Sequence, residues 1–464
     1  MADIASPPAA AGPAGRHHFT AWRWHFYAAL YVIPFMIVLA ASGLVMLWIA
    51  VLSDINGEKT RVAATGSPLP VSTLQAAAEA AVPDGRAMQY IEPLAPGRVA
   101  AFRVVAGDVG TTVLVDPYSA EVVDSFPWGK GWYDVMTRIH GTLLVGDLGD
   151  RLIEIAASLG ILLVATGLYL HWPRGRTGWR RVLLPAFAAR GRSLWKSLHG
   201  VTGFWMSLVM LVFLVSGLSW AGIWGGRMVQ AWNTFPAEKW ESVPLSDKTH
   251  ASMDHGAAKE VPWNLEQTPL PASGSLAGHL AVPPPVDTDA VVAFARALGF
   301  AGRFQVNMPD GEDGVWTVSH DSMSNDGHDP GGDRTIHIDR YTGNVLADIR
   351  YADYSPYAKM MAWGIAFHEG DLGAWNVALD TAFCLAMIFL PVSGLVMWWK
   401  RRPGKAGRLG APPRPAEAQF WTGAAILVVA LGLAFPLGGA VVLAVVLADR
   451  FILRHLPAMR RALG

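Results

Sequence analysis

Charged residues and cysteine are both scarce in this sequence. Only 16% of the 464 residues are Asp, Glu, Lys or Arg, whereas an ordinary soluble domain carries about 25%. The single cysteine, Cys384, excludes a disulfide framework, thiolate zinc sites and cysteine-ligated iron–sulfur clusters. The formal net charge is zero, which argues against a nucleic-acid partner. The sequence also lacks a G-x-G-x-x-G fingerprint between a strand and a helix, so no dinucleotide or flavin site is indicated.

What the sequence has in excess is apolar residues, which make up 52% of it. They gather into six runs that reach or approach the length needed to cross a lipid bilayer. The first run is too long for the core of a cleavable signal, so it predicts a first helix that stays in the membrane. The runs occupy residues 25–52, 149–172, 194–224, 372–399 and, as a helical hairpin within 420–453, residues 420–435 and 437–453.

The placement of lysine and arginine predicts the orientation of these helices. The segment that follows the second run is rich in arginine, and the segment that follows the fourth is rich in lysine and arginine. The positive-inside rule places such segments in the cytoplasm together with both termini. The two long intervening segments are then expected outside. The predicted cytoplasmic segments are 1–24, 173–193, 400–419 and 454–464, and the predicted outside segments are 53–148 and 225–371.

Each outside segment predicts a small α+β module. The first has an alanine-rich stretch of helical periodicity at Pro70–Val82, followed by strand-like runs of which the last is Thr111–Val115. The second has a capped helix at Asp287–Leu298, followed by strands at Val315–Ser319 and Thr335–Ile338. The predicted fold is therefore a mainly α-helical membrane protein with a four-helix core, a C-terminal helical hairpin and two α+β modules.

The chain also repeats itself, which predicts that the four-helix core is duplicated about an axis along the membrane normal. In the modules, residues 116–122 resemble residues 339–345. In the helices, each of four histidines precedes a Ser-Gly or Thr-Gly pair, and such small residues are typical of close helix–helix contacts in membranes. The sets are His25 with Ser42-Gly43, His199 with Ser216-Gly217, His140 with Thr166-Gly167 and His368 with Ser393-Gly394.

The repeat sorts these histidines into two pairs. A two-fold axis brings His25 opposite His199 at the cytoplasmic face, and His140 opposite His368 at the outer face. Two facing imidazoles are the axial ligands that a planar iron porphyrin needs, so the pattern predicts two haems that divide a hydrocarbon barrier of roughly 30 Å.

His171 is a fifth candidate ligand at the inner end of the second helix. Its repeat partner is Trp398, so symmetry supplies no second ligand for it. Three roles stay open for His171: replacement of one member of the inner pair, contact with a propionate or an electron donor, or a purely interfacial position.

Alternatives to haem stay open at this point. Gene duplication also copies structural histidines, and a single histidine at a membrane boundary is more often an interfacial residue than a ligand. Zinc is less suited, because only two histidines meet at each face and no carboxylate is clearly placed to complete the site. A His/Met-rich group in the outer loop suits copper or iron, although a polar loop is the favoured interpretation. Its members are His250, Met253, Asp254, His255, His320, Met323, His328 and His337.

Several short motifs are spread along the chain, and their combination is characteristic of one protein family. They are Trp22–Tyr27, Arg138–Leu144, Leu170–Arg174, Leu198–Trp205, Val261–Glu266 with Pro269–Pro271, and Phe367–Gly373, together with the module strands Val113–Tyr118 and Ile336–Tyr341. Together they resemble the PepSY-associated transmembrane family of bacterial inner-membrane proteins, also called iron-regulated membrane proteins. The resemblance covers nearly the whole chain up to about residue 402, and the two outside modules resemble PepSY domains.

The resemblance implies an activity and a location. Members of the family include di-haem reductases that reduce ferric siderophores in the periplasm and release Fe(II). It therefore implies an oxidoreductase of the bacterial inner membrane with two b-type haems and two periplasmic PepSY-like modules, supplied with electrons by quinol or by a cytoplasmic reductase. Two alternatives stay open. One is a haem-dependent reductase of copper or another periplasmic acceptor, and the other is a non-enzymatic, membrane-anchored PepSY module that binds or regulates peptidases.

Overall fold

A computed structural model describes residues 13–173, 178–232, 242–254, 260–324, 327–402, 409–412, 422–452 and 455–456. These residues form two compact units, each continuous in space but not in sequence. The helical unit comprises Met1–Leu44, Ile139–Met228 and Leu379–Gly464, and the α+β unit comprises Val45–Arg138 and Val229–Ala378.

The helices and strands follow one another along the chain as two similar series. The helices are α1 (Pro13–Leu52), α2 (Val71–Ala80), α3 (Trp132–Thr142), α4 (Asp147–His171), α5 (Arg180–Leu183), α6 (Arg192–Leu218), α7 (Thr288–Ala297), α8 (Pro356–Glu369), α9 (Ala374–Trp399), α10 (Thr422–Ala434) and α11 (Pro436–Phe451). The strands are β1 (Arg86–Ile91), β2 (Ala100–Ala106), β3 (Val109–Val115), β4 (Val122–Pro127), β5 (Leu245–Thr249), β6 (Pro269–Pro271), β7 (His279–Leu280), β8 (Gln305–Asn307), β9 (Val315–His320), β10 (Arg334–Asp339) and β11 (Asn344–Arg350).

Four of the helices are long and apolar enough to cross a membrane. They are α1, α4, α6 and α9, with mean hydropathies of 2.6, 1.9, 2.1 and 2.0 over their most apolar windows. A cluster of Ala40, Val164, Met210, Phe383 and Met387 packs between them. These four helices make the chain a membrane protein, as its composition predicts.

The short helices α10 and α11 form a hairpin that packs through glycine. A Cβ atom on Gly439 would overlap the backbone of Gly432, and one on Gly438 would overlap the side chain of Ser158 in α4. These glycines therefore let α11 approach both α10 and α4 closely, as small residues do in membranes. The hairpin agrees with the sequence prediction for residues 420–453, apart from the few of those residues that lie outside the described ranges.

Helix α6 ends six residues earlier than the apolar run predicts. Beyond Leu218 the chain turns and enters a π-helical segment, Trp224–Val229. Backbone N–H groups released by such a turn need acceptors, and two acids of α4 supply them. The Glu154 carboxylate accepts from the N–H groups of Ile223 and Trp224, each at 3.2 Å, and Asp150 accepts from Gly222 at 3.1 Å. The prediction that the helix continues to Trp224 is wrong, because hydropathy carries no information about these acceptors.

The α+β unit contains a nine-stranded sheet with strands from both long segments. The order is β4-β3-β2-β1-β8-β9-β10-β11-β7, and all neighbouring pairs are antiparallel. The two halves meet where β1 pairs with β8, with Tyr90 opposite Val306. The sequence predicts two separate modules, but the structure joins them in one sheet because β1 and β8 satisfy each other's edge hydrogen bonds.

The halves of this sheet correspond element by element. Helix α2 with β1–β4 matches α7 with β8–β11, and the matching strands lie at equal distances from the central β1–β8 pair. The turns repeat as well: Asp116 accepts from the N–H of Tyr118, and Asp339 accepts from that of Tyr341, both at 2.8 Å. The resemblance between residues 116–122 and 339–345 thus reflects the same hydrogen-bonded turn.

The sheet buries both apolar and polar side chains. One face packs on α2 and α7 through an apolar core that includes Leu74, Phe102, Val292 and Phe304. Buried polar side chains occupy the sheet as well, among them Gln89 and Gln305, whose amides are hydrogen-bonded at 2.6 Å. An ion pair of Arg103 with Glu260, at 3.0 Å and with both side chains buried, adds to this polar layer.

Candidate metal centre

His25 and His199 face each other inside the helical unit. Their ring centroids are 6.3 Å apart and their planes lie at 84°. Two metal–imidazole bonds of about 2 Å in line, with about 1.1 Å from each ring nitrogen to its centroid, place two axial rings about 6 Å apart. The separation between His25 and His199 therefore fits one metal ion between the two rings.

A hydroxyl group holds the far nitrogen of each ring. His25 Nδ1 lies 3.0 Å from Thr166 Oγ1, and His199 Nδ1 lies 2.8 Å from Ser393 Oγ. Both hydroxyls also donate to carbonyls of their own helices, Thr166 to Leu162 at 2.7 Å and Ser393 to Leu390 at 2.8 Å. Since a hydroxyl has only one proton, Thr166 and Ser393 must accept from the ring N–H groups. This leaves Nε2 of each ring with a free lone pair, which is the tautomer that iron requires.

A glycine follows each hydroxyl and lies next to the histidine ring. A Cβ atom on Gly167 would lie 3.3 Å from His25 Cε1, and one on Gly394 would lie 3.8 Å from His199 Cε1. We call such a Ser-Gly or Thr-Gly pair, with the histidine ring against it, a hydroxyl seat. Sequence reasoning interpreted these pairs as helix–helix contacts and missed this role. The available signal was that all four histidines share the same pair.

A third hydroxyl seat lies at the other end of α1. His140 Nδ1 is 3.1 Å from Ser42 Oγ, and Ser42 donates to the Val38 carbonyl at 2.8 Å. Gly43 adjoins the ring, because a Cβ atom there would be 3.3 Å from His140 Cε1. Ser42 follows His25 by seventeen residues, or about 25 Å along the helix axis. Seated histidines therefore occur at two depths of the same bundle.

The remaining two sequence candidates are placed differently. His368 lies in α8, within the α+β unit, and its pairing with His140 stays a prediction. His171 ends α4, and its Nε2 lies 3.1 Å from the carbonyl oxygen of Val182. Because a carbonyl oxygen only accepts, Nε2 of His171 carries the proton. Its tautomer is therefore opposite to that of the seated histidines.

The His/Met-rich group is only partly brought together. His250 and His337 are fully buried and their Nε2 atoms are 2.9 Å apart, while His320 and His328 bond to the separate carbonyls of Arg303 and Asp371. His255 lies outside the described residues. Among the described residues, no three His, Cys, Asp or Glu side chains are grouped to hold a metal ion. The interpretation of this group as a polar loop is wrong for His320 and His337, which lie in β9 and β10, and for His250, which is fully buried.

The buried pair His250 and His337 forms a chain of hydrogen bonds that keeps both rings neutral. His250 Nδ1 donates to the Thr268 carbonyl at 2.9 Å, so its Nε2 accepts from His337, whose Nδ1 faces the Thr317 hydroxyl at 2.9 Å. Both rings are neutral in this chain. Burial lowers the pKa of His250 to about 4 and holds that of His337 well below its ordinary value.

We expect the α+β unit to lose stability in mild acid because of this pair. The unfolded chain binds protons at these histidines near pH 6.5 while the folded chain does not, so stability is full above about 6.5 and falls as the pH is lowered towards 4. His250 alone accounts for a loss on the order of 3 kcal/mol. Thermal unfolding of the detergent-solubilised protein, followed by tryptophan fluorescence across this range, measures the slope.

The double variant His250→Gln/His337→Gln should flatten this pH dependence, since amides do not titrate. His279→Gln is the matched control, because His279 is exposed in β7. An unchanged slope in the double variant would show that other groups cause the acid sensitivity.

The fold and these side chains together define a class of protein. It is a membrane protein with four spanning-length helices, imidazoles seated at two depths, and an antiparallel α+β unit built from two corresponding halves. The sequence matches the PepSY-associated TM region over residues 22–401, and the chain belongs to this family. No curated protein matches the chain.

Proposed function

We propose that the protein is a di-haem reductase that passes electrons across the bacterial inner membrane to a ferric siderophore in the periplasm. The observation that carries the proposal is the His25–His199 pair, whose rings are 6.3 Å apart. With their Nδ1 atoms hydrogen-bonded to hydroxyls, the two imidazoles would have their Nε2 lone pairs available for a single ion between the rings. A pair of structural histidines has no need of that arrangement.

The chain's own residues would bind and orient the cofactor. His25 and His199 would supply the axial ligands of an inner haem, and the sequence repeat assigns His140 and His368 to an outer haem. A bound b-type haem accepts and gives up one electron at its iron. Aromatic side chains are also present in this unit: Phe204 lies against His171 and Phe389 stacks on Trp195.

Reduction of a ferric chelate would require the protein to deliver an electron and little else. Hydroxamate and catecholate oxygens are hard ligands that hold Fe(III) much better than Fe(II), so one electron added to the iron labilises the chelate. No acid–base residue is needed for that step. The α+β unit, with its two PepSY-like halves, would supply the docking surface for the chelate.

The electron donor is proposed only as a class. Quinol or a cytoplasmic reductase would deliver electrons near the inner haem, where residues 173–193 are rich in arginine. His171 links this segment to the bundle, since its Nε2 donates to the carbonyl oxygen of Val182 in α5. We propose that His171 contacts the donor or a propionate and is not an axial ligand, because its protonated Nε2 is engaged elsewhere.

A visible spectrum of the purified full-length protein tests the proposal. We expect sharp α and β bands after dithionite reduction, which are typical of low-spin iron with two imidazole ligands, and two haems per chain. The reduced protein should then reoxidise on addition of a ferric hydroxamate, with Fe(II) trapped by a ferrous chelator. A colourless protein would instead favour the non-enzymatic PepSY binding module, and reoxidation by Cu(II) alone would favour the copper reductase.

A further inference from the structure

We propose that the hydroxyl seats are positioning residues that set the reduction potential of the haems. The inference rests on the proposed function and assigns Thr166 and Ser393 to the inner haem, and Ser42 to the haem at the other end of α1. Each hydroxyl would fix the tautomer of its histidine and adjust the electron density that the imidazole gives to the iron.

The geometry that supports this proposal occurs three times. In each seat the Oγ atom lies 2.8–3.1 Å from a histidine Nδ1, and it donates to a carbonyl three or four residues earlier in its own helix. Such back-bonding is common for Ser and Thr within helices. Here the hydroxyl proton is used in the bond to the carbonyl, so the oxygen can only accept a hydrogen bond from the ring. The bond to the carbonyl therefore determines that the ring Nδ1 is the donor.

The seats act on the iron through the imidazole ring. A hydrogen bond from Nδ1–H to an acceptor makes the ring more basic, and a more basic axial ligand stabilises Fe(III) relative to Fe(II). A hydroxyl that already donates to a backbone carbonyl is a better acceptor, since chains of hydrogen bonds polarise one another. The seats should therefore lower the reduction potential, and their removal should raise it.

A glycine lies next to the histidine ring in each seat. Gly43 and Gly167 leave about the space of one methyl group between the helix backbone and the ring edge. His171 shows the contrast: it lies against Gly200, but its hydrogen bond runs from Nε2 to Val182 and no hydroxyl seat is formed. A glycine next to a histidine ring is therefore not enough to form a hydroxyl seat, which also needs the neighbouring hydroxyl.

The test is a redox titration of the holoprotein with optical detection. Thr166→Val removes the hydroxyl at nearly constant volume, and Thr166→Ser keeps it. We expect Thr166→Val to raise the ratio of ferrous to ferric inner haem about threefold to tenfold at a fixed poise, which corresponds to roughly 30–60 mV because a tenfold change is 59 mV for one electron. Ser393→Ala should shift the same component, and Ser42→Ala the other one.

Ser158→Ala is the matched control. Ser158 is buried in α4 and donates to the Glu154 carbonyl at 2.8 Å, as Thr166 does to Leu162, but it belongs to no seat. Unchanged potentials in Ser158→Ala and Thr166→Ser, with a shift in Thr166→Val, support the inference. Unchanged potentials in Thr166→Val and Ser393→Ala, with both haems bound, overturn it. A wild-type protein without haem would overturn the proposed function itself, and the spectrum separates that outcome from a failure of the seats.

Discussion

Replacement of His25 by alanine is expected to remove one of the two proposed haems from the protein. The rings of His25 and His199 lie 6.3 Å apart in the helical unit, and loss of one imidazole would leave the proposed haem held by a single histidine. Loss of a supporting partner near a metal costs about 10- to 100-fold in affinity or activity, so loss of the ligand itself should cost more than about 100-fold in chelate reduction. The haem-to-protein ratio and the α-band intensity of the reduced protein, which should fall by about half, measure the result.

His171→Ala is the control for this experiment. Its Nε2 donates to Val182, so this variant should keep both haems even if electron delivery slows. His199→Ala should reproduce the spectrum of His25→Ala, because both residues would hold the same haem. If His171→Ala lost a haem while His25→Ala kept both, the pairing of His25 with His199 would be overturned.

Replacement of Arg303 by alanine should severely destabilise the α+β unit. Arg303 forms two hydrogen bonds with Glu58, at 2.6 and 3.1 Å, and both side chains are buried. Removal of one partner leaves a buried carboxylate without its counter-charge, which costs about 3–5 kcal/mol. The bond joins the first long segment of the chain to the second, so we expect a lower midpoint of thermal unfolding and early proteolysis in both segments. Calorimetry of the detergent-solubilised protein measures the change.

Arg296→Ala provides the comparison. Arg296 pairs with Glu92 at 2.8 Å, but its side chain is 47% exposed. Exposed pairs contribute about 0.2–1 kcal/mol, so this variant should melt close to the wild type. Equal losses in the two variants would mean that burial does not determine the contribution of these ion pairs. The double variant Arg303→Met/Glu58→Gln should recover much of the loss, since it leaves no unpaired charge.

The membrane-spanning helices could be predicted from sequence because hydropathy is local. The runs 149–172 and 372–399 match α4 and α9 to within two residues at each end. Two helices depart further from their runs. Helix α1 begins at Pro13, twelve residues before its predicted start, and α6 ends early because Asp150 and Glu154, some seventy residues away, accept hydrogen bonds from the turn that follows it. An interaction at that sequence separation leaves no trace in the hydropathy of the segment.

The single sheet could not be predicted for a related reason. Its central strand β8 has only three residues, Gln305-Val306-Asn307, and the two polar ones are buried beside Gln89. Nothing in so short and polar a stretch indicates a strand at the middle of a sheet. The helices α2 and α7 were predictable, because alanine-rich periodicity and the Asp287 cap are local signals.

The pairing of His25 with His199 could be predicted from sequence, but the hydroxyl seats could not. The repeat predicts His25 opposite His199, and the structure brings these two rings together. The repeat does not reveal the seats, because each histidine is held by a hydroxyl from a different helix. His25 lies against Thr166-Gly167 and not against Ser42-Gly43 in its own helix. Because similar pairs occur in α1 and in α4, only the three-dimensional arrangement shows which pair holds which histidine.

The pairing of β1 with β8 constrains how this protein is made. Strand β1 emerges from the ribosome more than two hundred residues before its partner, and the spanning helices α4 and α6 are synthesised in between. Until then, the first half-sheet has an open edge that could pair with another chain. Synthesis of the second long segment therefore completes the sheet that the first segment begins.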